Sequence, residues 1–240
     1  SADPPGLLSL RKSDKIELIK YSIFHDPIIL RQYEEELMKI TDVKMEKFSI
    51  ELSEPFNVAF AQITHTVSII VKIETDEGYV GYGEAAPFAP VTGETVDGCL
   101  EILSLFRQGL IGMNPLDIEK AHAMMDGLAH GNGSAKCAVD IALYDLKGKV
   151  MGQPLYRVLG GYDNVVQNDI TVVINPPEKM AGQAVHFVKD LGYHILKIKT
   201  GICPEEDLRA ISLIREAVGP DIRLRVDANQ GYNYSQAIAM

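Results

Sequence analysis

From Gln167 onward the chain alternates between short apolar runs and amphipathic stretches in a regular rhythm. The runs Gln167 to Ile174, His194 to Lys199 and Ile222 to Asp227 begin 27 and 28 residues apart. Helix-like segments, Pro177 to Leu191 and Pro204 to Val218, fill the intervals, and another opens at Tyr234. This alternation predicts right-handed βαβ units and a parallel sheet. An open doubly wound sheet and a (β/α)8 barrel both accept such a pattern. No Gly-x-Gly-x-x-Gly follows the first strand to cradle a pyrophosphate, which favours the barrel.

Two of these runs end in charged residues: Leu196-Lys197-Ile198-Lys199-Thr200-Gly201 and Leu224-Arg225-Val226-Asp227-Ala228-Asn229-Gln230-Gly231. Side chains alternate along a strand, so Lys197 and Lys199 share a face, and Asp227 and Asn229 share one in the same way. In parallel α/β architectures the C-terminal strand ends carry the chemistry. A lysine pair beside a strand-end carboxylate there points to a base next to a metal. Taken alone, Lys-x-Lys is more often a solvated strand edge and Asp-Ala-Asn a turn. Their placement one βα unit apart, each at a strand terminus, is what lifts them above those plainer readings. His65, His122, His130, His186 and His194 show no metal-ligand spacing and are read as surface or core residues.

With 240 residues, 46% of them hydrophobic and 23% charged, the chain suits a globular protein of one large or two smaller domains. A net charge of -10 without clustered Lys or Arg argues against a nucleic-acid partner. Cys99, Cys137 and Cys203 are odd in number and widely spaced, which fits a reducing compartment. No apolar run approaches the roughly 20 residues that span a membrane, and no signal-peptide core is visible at the start. A cytoplasmic protein is expected.

Residues 1–37 share no pattern with the rest of the chain and are read as a leader of unknown role, with a short helix opening at Asp26-Pro27. An antiparallel meander is expected from Met45 to Leu52, Thr66 to Thr75 and Tyr79 to Ala85. Between its first two strands lies Glu54 to Thr64, an apolar loop carrying Phe56, Val58, Phe60 and Ile63, read as a lid over a ligand pocket or as a loop folded on its own sheet. Three helices come next, Glu94 to Leu110, Asp117 to Leu128 and Ser134 to Val150, the second opening on an Asp117 cap. The third carries Ala135, Ala138, Ile141, Ala142 and Leu146 at helical spacing for close packing, with Asp140 and Asp145 read as solvated or capping charges. A turn at Gly160-Gly161-Tyr162-Asp163 closes this α+β domain, giving domains of 38–161 and 162–240.

Taken together, Val80-Gly81-Tyr82-Gly83-Glu84-Ala85, Ala138-Val139-Asp140-Ile141-Ala142-Leu143-Tyr144-Asp145-Leu146, Pro154-Leu155-Tyr156, Leu159-Gly160-Gly161, Lys197-Ile198-Lys199 and Val226 to Gly231 resemble the enolase superfamily, in its muconate-lactonizing subgroup. Among its members the chain is most similar to the dipeptide epimerases, from about Met38 to Met240. The resemblance implies an α+β capping domain followed by an enolase-type (β/α) barrel. It also implies a divalent metal, usually Mg2+, that holds a substrate carboxylate while a lysine removes the adjacent proton.

By motif position Lys199 matches the acid/base and Lys197 the residue that contacts the substrate carboxylate. Asp227 matches a metal ligand with Asn229 in its surroundings, and Thr171 a substrate contact. Three barrel strands fall within the sequence, and eight at this spacing would need roughly 140 more residues. The implied protein is a homo-oligomeric, Mg2+-dependent isomerase acting on a dipeptide or N-acyl amino acid. Close alternatives are an N-acylamino acid racemase, an o-succinylbenzoate synthase or a cycloisomerase. A non-catalytic truncated module is the alternative of another class. The segment Phe56 to Thr64 lacks Lys and Arg, which disfavours a second substrate carboxylate and makes hydrophobic dipeptides the expected substrates, with Phe56 and Phe60 among their contacts.

Overall fold

The computed structural model describes residues 37–240. The helix expected to open at Asp26, and all of the leader except Leu37, lie outside the described residues. The chain divides into two compact units. Of the described residues, one takes 37–46 and Ile69–Val158, the other Lys47–Ser68 and Leu159–Met240.

A three-stranded sheet is ordered β1 (Ile40–Val58), β2 (Ala61–Thr75) and β3 (Val80–Ala85); the first unit takes the start of β1, the end of β2 and all of β3, followed by helices. These are α1 (Ala89–Thr92), α2 (Val96–Leu110), α3 (Ile118–Leu128), α4 (Gly133–Met151) and α5 (Leu155–Val158). Strands β2 and β3 pair antiparallel, with Val71 opposite Gly83 and Ile73 opposite Gly81. Buried Ile40, Ile69, Val71, Ile73, Leu103, Phe106, Met125, Ala138, Leu143 and Leu146 form one core. The expected close packing of α4 has a specific cause in β3. A Cβ on Gly83 would lie 1.9 Å from the Ala138 carbonyl oxygen, and one on Gly81 2.2 Å from that of Ala142, so the helix backbone rests directly on the strand.

Several expectations need correcting here. Asp145 is neither merely solvated nor a cap, since it accepts from the Tyr82 backbone N–H at 2.9 Å and from Lys149 Nζ at 2.7 Å, tying α4 to β3. Asp140 lies 2.7 Å from His122 Nε2. Ile141, placed in the packing stripe by its spacing, is exposed, because the stripe that meets the core follows Ala135, Ala138, Ala142 and Leu146. Asp117 stands before α3 without a side-chain capping bond. Glu94 precedes α2 and instead accepts from Ser134 N–H and Oγ at the start of α4.

The second unit holds the parallel sheet. Strands β4 (Ile170–Val172), β5 (Ile195–Lys199) and β6 (Arg223–Asp227) alternate with helices α6 (Pro177–Lys189) and α7 (Pro204–Val218), and α8 (Tyr234–Ala239) comes last. The register sets Thr171 opposite Lys197, Lys197 opposite Arg225, and Lys199 opposite Asp227. One face therefore carries Thr171, Lys197, Lys199, Arg225 and Asp227. The other carries Val172, Leu196 and Ile198, which are buried with Met180, Ala184, Ala210 and Ile214 of the helices. Among the described residues no helix is long and apolar enough to cross a membrane.

The region Glu54 to Thr64 is not a loop. Strands β1 and β2 run on through it and reverse at Ala59 and Phe60. Pro55 lies in β1, an edge strand of its sheet, the position at which a strand tolerates proline. The alternation of Phe56 and Val58 with Asn57 is the strand signal in the sequence.

Candidate active site

Strand β5 delivers Lys199 at its last position, and the Lys199 side chain is only 8% exposed. Its Nζ donates to Asp227 Oδ2 and to Asn229 Oδ1, both at 2.8 Å. Lys197, two residues earlier on the same face, places its Nζ 2.9 Å from the same Asp227 oxygen. Asp227 Oδ1 accepts from the Asn229 backbone N–H at 3.0 Å, and Asn229 adopts φ +46° to make that turn. The ammonium groups of Lys197 and then Lys199 hold the Asp227 carboxyl far below the ordinary carboxylate range, against the opposing effect of burial. Two formal positive charges face one negative charge, and the cluster keeps a net positive charge for an incoming anion.

Four residues singled out in the sequence, Lys197, Lys199, Asp227 and Asn229, thus form one hydrogen-bonded cluster. Thr171 shares their face but sits at the middle of the three-residue β4, level with Lys197 and one layer short of Lys199. β4 itself ends at Val172, shorter than the expected run from Gln167 to Ile174. On the same face, Arg225 Nη1 lies 3.1 Å from Asp169 Oδ2, an ion pair that sequence reading missed. Phe56 is half-buried in β1, and Phe60, 44% exposed, occupies the hairpin turn.

The hairpin end is fixed to the parallel sheet within the same unit. Asn57 Nδ2 donates to the Ile174 carbonyl at 3.2 Å, the Ile174 N–H donates to the Asn57 carbonyl at 3.3 Å, and Gln62 Nε2 donates to Asn57 Oδ1 at 2.9 Å. At the turn, the Ala59 Cβ lies 3.1 Å from where a Cβ of Gly201 would stand, two residues beyond Lys199. The tip is therefore a wall held beside the strand ends, not a free lid.

Asp227 offers a hard, anionic oxygen of the kind Mg2+ prefers, and its carboxyl stays ionised. Among the described residues no group of three or more His, Cys, Asp or Glu side chains could hold a metal ion. The chemistry fits one metal ligand, not a whole coordination shell.

The description "Mandelate racemase / muconate lactonizing enzyme, N-terminal domain" matches residues 40–160, and "Enolase C-terminal domain-like" matches residues 179–240. The chain belongs to the mandelate racemase/muconate lactonizing enzyme family. Within that family it is 49% identical over 201 residues to a hydrophobic dipeptide epimerase of Enterococcus faecalis, covering 84% of this chain and 56% of the relative. It is 42% identical over 204 residues to an L-Ala-D/L-Glu epimerase of Clostridium acetobutylicum, with the same two coverages. The crystal structure of the Enterococcus faecalis dipeptide epimerase, complexed with Mg and the dipeptide L-Leu-L-Tyr, superposes with a TM-score of 0.82 at 48% identity, over 84% of this chain and 56% of that one. The chain thus spans a little over half the length of these family members. Its incomplete barrel holds three parallel strands of the fold.

Proposed function

We propose that this chain carries the proton-transfer half of a Mg2+-dependent dipeptide epimerase that prefers hydrophobic dipeptides. The observation that carries the reading is the buried Lys199 amine at the C-terminal end of β5, in hydrogen-bond contact with Asp227 and Asn229 at the end of the neighbouring strand. A proton next to a carboxylate is very weakly acidic, because its removal doubles the charge on the carboxylate carbon framework. A bound Mg2+, with Asp227 among its ligands, would supply electrostatic stabilisation of that charge. Lys197 adds a cation for the substrate carboxylate. Lys199, packed out of solvent and aimed by Asn229, takes the α-proton in its neutral amine form and returns it from the ammonium so formed. The edge strand and turn that carry Phe56 and Phe60 form an apolar wall for a side chain.

Support for hydrophobic substrates comes from the absence of Lys and Arg between Phe56 and Thr64 and from the Enterococcus faecalis relatives. Three free thiols at Cys99, Cys137 and Cys203 support a cytoplasmic location. The domain limits 38–161 and 162–240 and a homo-oligomeric state belong to the same reading.

Solvent exchange tests it. In D2O with Mg2+, the complete protein should exchange the substrate α-hydrogen, and Lys199→Ala should abolish exchange from one epimer. Lys199→Arg should fail equally, because a guanidinium stays protonated and cannot accept the proton. Undiminished exchange from both epimers in Lys199→Ala would remove Lys199 from the chemistry.

A further inference from the structure

Three acidic residues open α7, and they do not behave alike. Glu205 and Glu206 are exposed, as first-turn charges near a helix N-terminus usually are. Asp207 is 6% exposed and turned inward. Its Oδ2 accepts from the Gly201 backbone N–H at 3.0 Å and from the Tyr232 hydroxyl at 2.7 Å. Burial, with Asp207 beside it, raises the Tyr232 phenol above its ordinary value, so the hydroxyl remains a donor.

The two groups held by Asp207 belong to different loops. Gly201 lies two residues after Lys199. Tyr232 lies five after Asp227 and three after Asn229. The loops also touch directly: a Cβ on Gly201 would fall 2.2 Å from the Ala228 carbonyl oxygen, and one on Gly231 2.1 Å from that of Gly201. Thr200 N–H donates to the Asp227 carbonyl at 3.0 Å, carrying the pairing one residue past the end of β5. A buried carboxylate with two donors, one from each loop, costs more to lose than a solvated helix charge.

We infer that Asp207 and Tyr232 are positioning residues, a clamp that locks the loop after β5 to the loop after β6 and so fixes Lys199 against Asp227 and Asn229. The clamp touches no substrate atom and acts through the placement of the Lys199 amine. This rests on the epimerase reading for its catalytic consequence, but not for its structural one.

The test uses Tyr232→Phe, which keeps the ring and removes only the hydroxyl, and Asp207→Asn, which keeps one acceptor oxygen, in the complete protein with Mg2+. Misplacing a base by a fraction of an ångström is enough to slow proton transfer by about tenfold or more. Tyr232→Phe should therefore lower α-hydrogen exchange from the epimer that Lys199 serves by about tenfold, leave exchange from the opposite epimer within about twofold, and change KM little. Amide hydrogen exchange at Gly201 should accelerate in both variants, and Asp207→Ala should exceed Asp207→Asn. Wild-type exchange ratios together with unchanged Gly201 protection in Tyr232→Phe would overturn the clamp. An equal loss from both epimers that tracks a fall in Tm would overturn it in favour of plain stability. Lys199→Ala run in parallel separates the two ideas. If it leaves exchange intact, the base assignment falls while the Gly201 amide still reports on the clamp.

Discussion

Asp227 serves two lysines through one oxygen and a backbone N–H through the other, so its charge matters more than its shape. Asp227→Asn keeps size and one acceptor but removes the anion that balances Lys197 and Lys199. The expected outcome is Mg2+ binding weakened by about tenfold or more, measured by calorimetric titration of the complete protein, with the circular dichroism spectrum unchanged. Turnover that survives EDTA would sink the metal assignment. At this scale the sequence was most legible where a residue acts from its own strand terminus. Lys199 and Asp227 could be placed because strand alternation and parallel register put them side by side. Asp207 and Tyr232 could not, because their contact joins the first turn of α7 to a loop 25 residues on and leaves no periodic trace. Asp207 in particular is hidden among the acidic residues that open most helices.

At the level of elements, β3 and α4 meet through glycine. The motif Val80-Gly81-Tyr82-Gly83 was visible as part of a family pattern, but its physical reason needed the helix in place: Ala138 and Ala142 present backbone oxygens where side chains would otherwise project. Gly83→Ala should destabilise the first unit by about 1–3 kcal/mol, the usual cost of overpacking, or more because backbone and not a flexible side chain must move. Urea denaturation would measure it, and a loss below about 0.5 kcal/mol would mean that α4 shifts freely on the sheet. Gly78→Ala in the β2–β3 turn is no control, since φ there is +82° and strain would add its own cost. The hairpin shows where element reading fell short. The first strand was expected to stop at Leu52, yet an edge strand accepts proline at Pro55, and the chain stays extended to Val58.

For the molecule as a whole, specificity is the property on which the relatives divide, between hydrophobic dipeptides and Ala-Glu. The hairpin wall offers Asn57, which donates to Ile174, and Gln62, which donates to Asn57; each spends an amide hydrogen on that network, and neither carries a charge to offset a buried carboxylate. Leaving a buried carboxylate unpaired costs at least several kcal/mol, whereas burying an apolar side chain gains roughly 1 to 3 kcal/mol. A dipeptide library screened by mass change in D2O should therefore favour dipeptides ending in Leu, Phe or Val over Ala-Glu in kcat/KM. The reverse order would mean that the hairpin does not face the substrate's second side chain.

The second unit is assembled from two stretches of sequence, Lys47–Ser68 and Leu159–Met240, with Ile69–Val158 of the first unit encoded between them. The wall that Asn57 pins to Ile174 is thus encoded ahead of Ile69–Val158, while the lysines and the aspartate are encoded after it. Recombination between two relatives at a crossover near residue 159 would therefore part the hairpin wall from the Lys197, Lys199 and Asp227 cluster and pair each with a new counterpart in a single event.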